Sequence, residues 1–197
     1  YYYIDCEAEA EKIFGGDLFA TLYTVAEDVK LQLTFNPAAV KSYRLVGYEN
    51  RVMPNRDFKD DTKDAGEIGA GHSVTVCYEI IPTETAMNEE EWMTLAVRYK
   101  DPGETAAKQM DYAFGASIVT ENPTDDFKFI CAVTEVSMLL HSSRNINEIT
   151  LGDIAENLKK MAEAGAFVGD EYKSAFAEMI GSLAVRTGGG EKNYLYM

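Results

Sequence analysis

A run of carboxylates is the feature of this 197-residue chain whose chemistry is easiest to name. Oxygen ligands on a flexible loop suit Ca²⁺, which binds about six to eight of them. The run does not follow the EF-hand spacing, because that loop needs a glycine and a final glutamate at fixed positions. The candidate ligands are Asp57, Asp60, Asp61, Asp64 and Glu67.

Two lysines, Lys59 and Lys63, lie among these acids and partly neutralise them. We therefore predict a solvated acidic loop without a cofactor. Its carboxylates would accept backbone N–H bonds or pair with the two lysines. A Ca²⁺- or glycan-binding module that uses residues 57–67 is the alternative.

The other residue types that could do chemistry do not form a recognisable set. Gly66, Gly69 and Gly71 precede a predicted strand and are not followed by the Lys-Ser/Thr pair of a phosphate loop. Neither His72 nor His141 has a neighbour in the sequence that would complete a catalytic pair. These patterns predict a protein that is not an enzyme, and a metal-dependent hydrolase is the third hypothesis.

The charge balance argues against two classes of partner. The chain has 33 Asp and Glu against 18 Lys and Arg, a net charge of −15. Such a surface repels phosphate backbones and anionic lipids, so we expect neither nucleic acid nor membrane as a partner. No apolar run reaches about 18 residues, so no membrane insertion is predicted. Three widely spaced cysteines, which form no disulfide framework, are predicted to be buried apolar groups: Cys6, Cys77 and Cys131.

Strands are the elements predicted to position the acidic loop. Apolar and polar residues alternate over several short segments that are joined by polar loops, which favours an antiparallel β-sandwich-like region over 28–121. The predicted strands are 29–35, 42–50, 72–82, 92–100 and a segment within 108–119. Their period-two positions predict a buried core of Leu31, Leu33, Val74, Val76, Leu95 and Val97.

Helical periodicity dominates the two ends of the chain, so the predicted fold class is α+β. Asp5 is the predicted N-cap of a first helix, whose apolar stripe reaches Val25. Residues 122–197 are predicted to be a helical region with a C-terminal tail. Within it, Thr150 and Asp153 have the spacing of a capping box, and Asp170 is the predicted start of the last helix.

Three stretches carry a resemblance to a known family: YYYIDCEAEAEKIF, VKLQLTFNPAAVKSYRLVGYENR and DDTKDAGEIGAGHSVTVCYEIIP. They resemble the C-terminal region, of unknown function, that follows a von Willebrand factor type A domain in bacterial cell-envelope proteins. The resemblance implies that residues 1–27 are the end of the A domain or a linking helix. The Asp-x-Ser-x-Ser loop of that domain's metal-dependent adhesion site does not occur here, so no ion site is carried over.

The resemblance implies export, to the periplasm or the outer surface, in some relatives as a lipoprotein. We therefore expect a non-catalytic accessory module that supports protein–protein contact, either with an upstream A domain of the same chain or with a separate protein. We also expect Tyr1–Ile4 to dock on this chain or on a second molecule, because apolar strand edges recruit neighbouring chains.

Overall fold

A computed structural model describes residues 4, 6–18, 22–141 and 149–188. The chain divides into two compact units, Tyr1–Val119 and Thr120–Met197. Both sheets lie in the first unit, while three of the α-helices lie in the second. The α+β class predicted from the sequence is confirmed.

The strands of the first unit form two antiparallel sheets, as predicted. A four-stranded sheet has the order β3-β1-β5-β6, and a two-stranded sheet pairs β2 with β4. Short 3₁₀ turns lie at Glu49–Arg51, Asn55–Asp57, Ala86–Asn88 and Ala116–Ile118. The strands are β1 (Thr24–Phe35), β2 (Val40–Val46), β3 (Gly66–Gly69), β4 (Cys77–Pro82), β5 (Met93–Lys100) and β6 (Lys108–Phe114).

The strand predicted over 72–82 begins only at Cys77. Its partner β2 ends at Val46, where Gly47 and Tyr48 turn the chain with φ angles of 77° and 49°. Val46 pairs with Cys77, so residues 72–76 have no strand of β2 beside them. The predicted extension of β2 to residue 50 is wrong for the same reason.

The core predicted for the sheet region is also wrong. Leu31, Val74 and Val76 are exposed, and Leu33, Leu95 and Val97 are only half-buried. The buried cluster of this unit lies instead at one end of the sheet, around Ala39, Val40, Ala86 and Trp92. There the Trp92 indole Nε1 donates to the Ala86 carbonyl at 2.9 Å, which satisfies its polar group.

The N-terminal helix is shorter than predicted. It begins at Glu7 and ends at Lys12 (α1), and a π-helical turn follows at Ile13–Asp17. Cys6 is its N-cap residue, whereas the predicted cap Asp5 lies outside the described residues. Val25 belongs to β1, not to a helical stripe. Of the segment Tyr1–Ile4, only Ile4 is described, and it is exposed.

The helical unit follows its sequence signals closely. Its helices are α2 (Asp125–Leu140), α3 (Leu151–Glu163) and α4 (Glu171–Arg186). The predicted capping box is confirmed, since Thr150 accepts from the Asp153 N–H while Asp153 accepts from the Thr150 N–H. Asp170 caps α4 as predicted. The core of the unit contains Ala132, Val136, Ile154, Leu158, Phe167 and Ile180.

The cysteines carry free thiols. Cys77 and Cys131 are half-buried and Cys6 is exposed, so the prediction of three buried thiols is wrong. Among the described residues, no helix is both long and apolar enough to cross a bilayer.

Candidate functional site

Three cations lie on one face of the four-stranded sheet. Lys30 pairs in register with Arg98, and Lys100 lies two residues beyond Arg98 on β5, so their side chains point to the same side. Lys30 is only 5% exposed, which is unusual for a residue whose charge is costly to remove from water. The burial of Lys30 therefore requires polar partners above the sheet.

The acidic loop supplies those partners. Asp61 accepts from Arg98 through both carboxylate oxygens, with N–O distances of 2.9 to 3.0 Å. The Lys30 ammonium donates to the main-chain oxygen of Asp60, and the Lys100 ammonium donates to that of Asp61 at 2.9 Å. The loop is thus bonded to the polar face of the sheet through its backbone as well as its charges.

A bulge in β1 adds a further carboxylate to this cluster. Asp28 has a φ of 51°, in the left-handed region that aspartate tolerates better than most residues, and the register with β5 shifts between Glu27 and Lys30. Its Oδ2 is 2.6 Å from the Lys100 Nζ, and its Oδ1 accepts from the Ala65 N–H at 3.1 Å. The hydrogen bond from Lys100 is the main cause that lowers the pKa of Asp28, and Asp28 in turn raises the pKa of Lys100.

The predicted metal ligands do not converge on one point. Asp60 accepts from the N–H and the hydroxyl of Thr62, bonds that lower the pKa of its carboxyl. The Asp57 Oδ1 is 3.6 Å from the Arg56 Nε. Asp64 and Glu67 are exposed. Within the described ranges, no three His, Cys, Asp or Glu side chains are grouped as a metal site would need.

The loop was predicted either to accept backbone N–H bonds or to pair with Lys59 and Lys63, and the first form is the one found. Asp60 accepts a backbone N–H, as expected. The expected pairing with Lys59 and Lys63 is not found in the described part of the chain. Asp61 pairs instead with Arg98, a residue of the sheet that lies 37 positions away in the sequence.

The two histidines lie in different units. His72 follows Gly71 and is exposed, with its backbone N–H bonded to the Gly69 carbonyl. His141 is the exposed C-cap residue of α2.

The opposite face of the four-stranded sheet is apolar and largely uncovered, and sequence reasoning did not identify it as a site. Leu31, Met110 and Tyr112 are 51%, 41% and 46% exposed. The alternation of apolar residues showed which side chains share this face, but not that the loop covers the other one. The rows across β1, β5 and β6 are Leu31–Val97–Met110, Leu33–Leu95–Tyr112 and Phe35–Met93–Phe114.

Aromatic rings extend this apolar face onto the two-stranded sheet. Phe35 stacks on Tyr43 with ring centroids 4.1 Å apart, and it meets Tyr78 edge to face at 5.6 Å. Burial, and secondarily the neighbouring Tyr43, raises the pKa of the Tyr78 hydroxyl. Tyr43 remains 58% exposed, so its ring can contact a second surface.

The helical unit has a groove of about 720 Å³ between α3 and α4. Its lining includes Ala155, Ala162, Ala177 and Gly181, with Glu156 and Lys159 also present. Glu156 and Lys159 are more than half exposed and belong to separate surface pairs with Lys160 and Glu163. Ser174 and Glu178 also line the groove, so its lining is mixed polar and apolar.

Residues 20–184 match the family described as "Uncharacterized protein YfbK, C-terminal". The chain is 31% identical over 173 residues to the uncharacterized protein YfbK of Escherichia coli strain K12, an alignment that covers 79% of this chain and 30% of that protein. The chain thus spans less than a third of the length of that curated relative. No solved structure matches the chain.

Proposed function

The chain belongs to the YfbK C-terminal family, and from that premise we propose that it is a non-catalytic interaction module that supports protein–protein contact. The contact surface is the apolar face of the four-stranded sheet. We define this surface as Leu31, Leu33, Leu95, Val97, Met110 and Tyr112, and name it the apolar face.

One observation carries the proposal: the acidic loop covers the charged face of the four-stranded sheet, whereas the apolar face stays open. A sheet with one wet side ordinarily packs its apolar side on the core. Here the acidic loop covers the cations Lys30, Arg98 and Lys100, while Leu31 and Tyr112 remain about half exposed. Large exposed apolar patches are typical of interaction sites, because burying them is worth about 25 cal/mol per Å².

The partner we propose is a neighbouring domain of the same longer protein, of the von Willebrand factor A type, in the cell envelope. The resemblance of the loop segment DDTKDAGEIGAGH supports that context. The greater length of the E. coli relative supports a neighbouring domain, since about 70% of it lies outside the alignment with this chain. The extracytoplasmic location is part of the same proposal.

The two alternative functions receive less support from the geometry. Ca²⁺ or a glycan at residues 57–67 would compete with Arg98 for Asp61 and with Thr62 for Asp60. A metal-dependent hydrolase would need a ligand group that the described residues do not bring together.

A titration of separated parts tests the proposed function. The portion of E. coli YfbK outside the alignment is produced alone and titrated calorimetrically with this chain, and with the C-terminal region of YfbK as reference. We expect binding that Leu31→Glu and Tyr112→Glu each weaken at least about tenfold, since a charge would be buried at the contact. The control Val185→Glu, at a residue that is 83% exposed in the helical unit, should leave the affinity unchanged. Equal affinity for all variants, or no binding by either C-terminal region, would contradict the proposal.

A further inference from the structure

Strand β6 is an outer strand of the four-stranded sheet and pairs with β5 on one side. On its other side no strand of the described chain pairs with it. Residues Lys108 to Ala113 are exposed, and Phe114 at the end of the strand is half-buried. The outer edge of β6 therefore presents backbone N–H and C=O groups to which an added strand can bond.

The apolar face continues up to this edge. Met110 and Tyr112 end the rows that begin at Leu31 and Leu33. An additional strand beside β6 would place alternate side chains directly against Met110 and Tyr112, because opposed residues of neighbouring strands lie about 5 Å apart. Apolar residues at those positions would bury part of the exposed surface of both side chains.

The middle of β6 carries a charge that selects the partner. Asp111 lies between Met110 and Tyr112 but on the opposite face, in the row Gln32–Ala96–Asp111. It is exposed, and the Gln109 amide donates to its two oxygens at 2.9 and 3.2 Å. No cation is described beside it.

This carboxylate disfavours a second copy as the added strand. If two β6 strands paired antiparallel with full overlap, Asp111 would lie directly opposite Asp111 of the other copy. Like charges at opposed positions are destabilising, and two chains of net charge −15 also repel at longer range. A lysine or arginine at the opposed position would instead be attracted.

We propose that the edge of β6 binds an extended strand of the neighbouring domain, and that this strand carries a cation opposite Asp111 and apolar residues on either side of it. The inference rests on the proposed function, because it names the chemistry of the partner at the apolar face. Backbone bonds supply the affinity of such an added strand, and side chains at alternate positions supply its specificity.

A charge-swap experiment with short peptides tests this inference. The probe is a fluorescein-labelled peptide of residues 107–115 that carries Asp111→Lys, and the matched control is the same peptide without the substitution. Binding to the full chain is followed by fluorescence anisotropy at low ionic strength. We expect the substituted peptide to bind about tenfold more tightly, and we expect added salt to reduce that preference.

The reciprocal substitution in the chain provides the control. A chain with Asp111→Lys should prefer the unsubstituted peptide, and one with Asp111→Asn should show a smaller preference for the substituted peptide than the wild-type chain does. Absence of binding by both peptides, or a preference that does not reverse with the swap, would overturn the inference. The proposed function would survive that failure if Leu31→Glu still weakened binding to the separated portion of YfbK at least about tenfold.

Discussion

Arg98 binds the Asp61 carboxylate through both of its oxygens, with Nη2 2.9 Å from Oδ1 and 3.0 Å from Oδ2. The pair joins a strand of the four-stranded sheet to the acidic loop. Its geometry is two-pronged and the Arg98 side chain is only 18% exposed, so the pair is more than a transient surface contact. Its consequence is that the Asp61 carboxylate, one of the predicted metal ligands, is already paired with a cation.

We expect the pair to stabilise the first unit. Arg98→Gln and Asp61→Asn should each lower the free energy of unfolding by about 1–2 kcal/mol. Hydrogen bonds between charged groups are stronger than those between neutral groups, but solvent screens the half-exposed Asp61 and limits the loss. The measurement is urea unfolding of both single variants and the double variant, which yields the coupling energy of the pair.

The matched control for this cycle is the exposed pair of Lys159 and Glu163, whose atoms are 3.9 Å apart on α3. Lys159→Gln should change the free energy of unfolding by less than about 0.5 kcal/mol. A coupling energy for Arg98 and Asp61 as small as that of the control pair would show that the loop is not held by its charges.

The sequence predicts local features of this protein better than the partners of its loop. The capping box of Thr150 and Asp153 depends on residues three positions apart, so its pattern is readable along the chain. The strand Met93–Lys100 was likewise predictable from alternation over eight residues. By contrast, the pairing of Asp61 with Arg98 joins residues 37 positions apart, and Lys59 and Lys63 were nearer candidates in the sequence.

The exposure of the apolar face could not be predicted from the sequence, for a related reason. Alternation places Leu31 and Leu33 on one face of β1, but it does not say which face the rest of the chain covers. Val76 illustrates the same limit. Its apolar neighbours predict a strand over 72–82, but β2 ends at Val46 and leaves residues 72–76 without a strand of β2 beside them. A charge at Val76, which is 37% exposed, would retain access to water and should not unfold the domain.

Gly115 is the position at which we expect a minimal substitution to have a large effect. A Cβ atom added there would lie 1.9 Å from the Glu90 carbonyl oxygen, a backbone atom that cannot move aside cheaply. Gly115→Ala should therefore lower the free energy of unfolding by about 1–3 kcal/mol, the usual range for overpacking. Thermal and urea unfolding of the full chain would measure the loss.

Gly66→Ala is the matched control, because a Cβ at Gly66 meets no atom within 4 Å. It should leave stability nearly unchanged or raise it slightly, since alanine reduces the freedom of the unfolded chain. Equal stability of the two variants would show that the contact between Gly115 and Glu90 is looser than its geometry indicates.

The ion pair of Asp28 and Lys100 should make stability depend on pH in a defined direction. The pKa of Asp28 is lowered from its ordinary value of 3.8, mainly by the hydrogen bond from Lys100. A carboxyl group with a lowered pKa stabilises the fold above its unfolded value, and this contribution is lost as the pH falls through the folded pKa. The pKa of Lys100 is raised above 10.5, so its contribution is present below that value and is lost as the pH rises through the folded pKa.

Asp28→Asn is the variant that isolates this effect, because asparagine also tolerates the left-handed conformation of residue 28. We expect the difference in the free energy of unfolding between wild type and variant to be constant between about pH 5 and 9. It should shrink below about pH 4, where the aspartate of the unfolded wild-type chain becomes protonated. Urea unfolding of both proteins across this range measures the difference directly. The pKa values of Asp60, Asp153 and Asp170 are also lowered, but both chains contain these residues, so their contributions cancel in the difference. A difference that stayed the same down to pH 3 would mean that Lys100 does not hold the Asp28 carboxylate in its charged form.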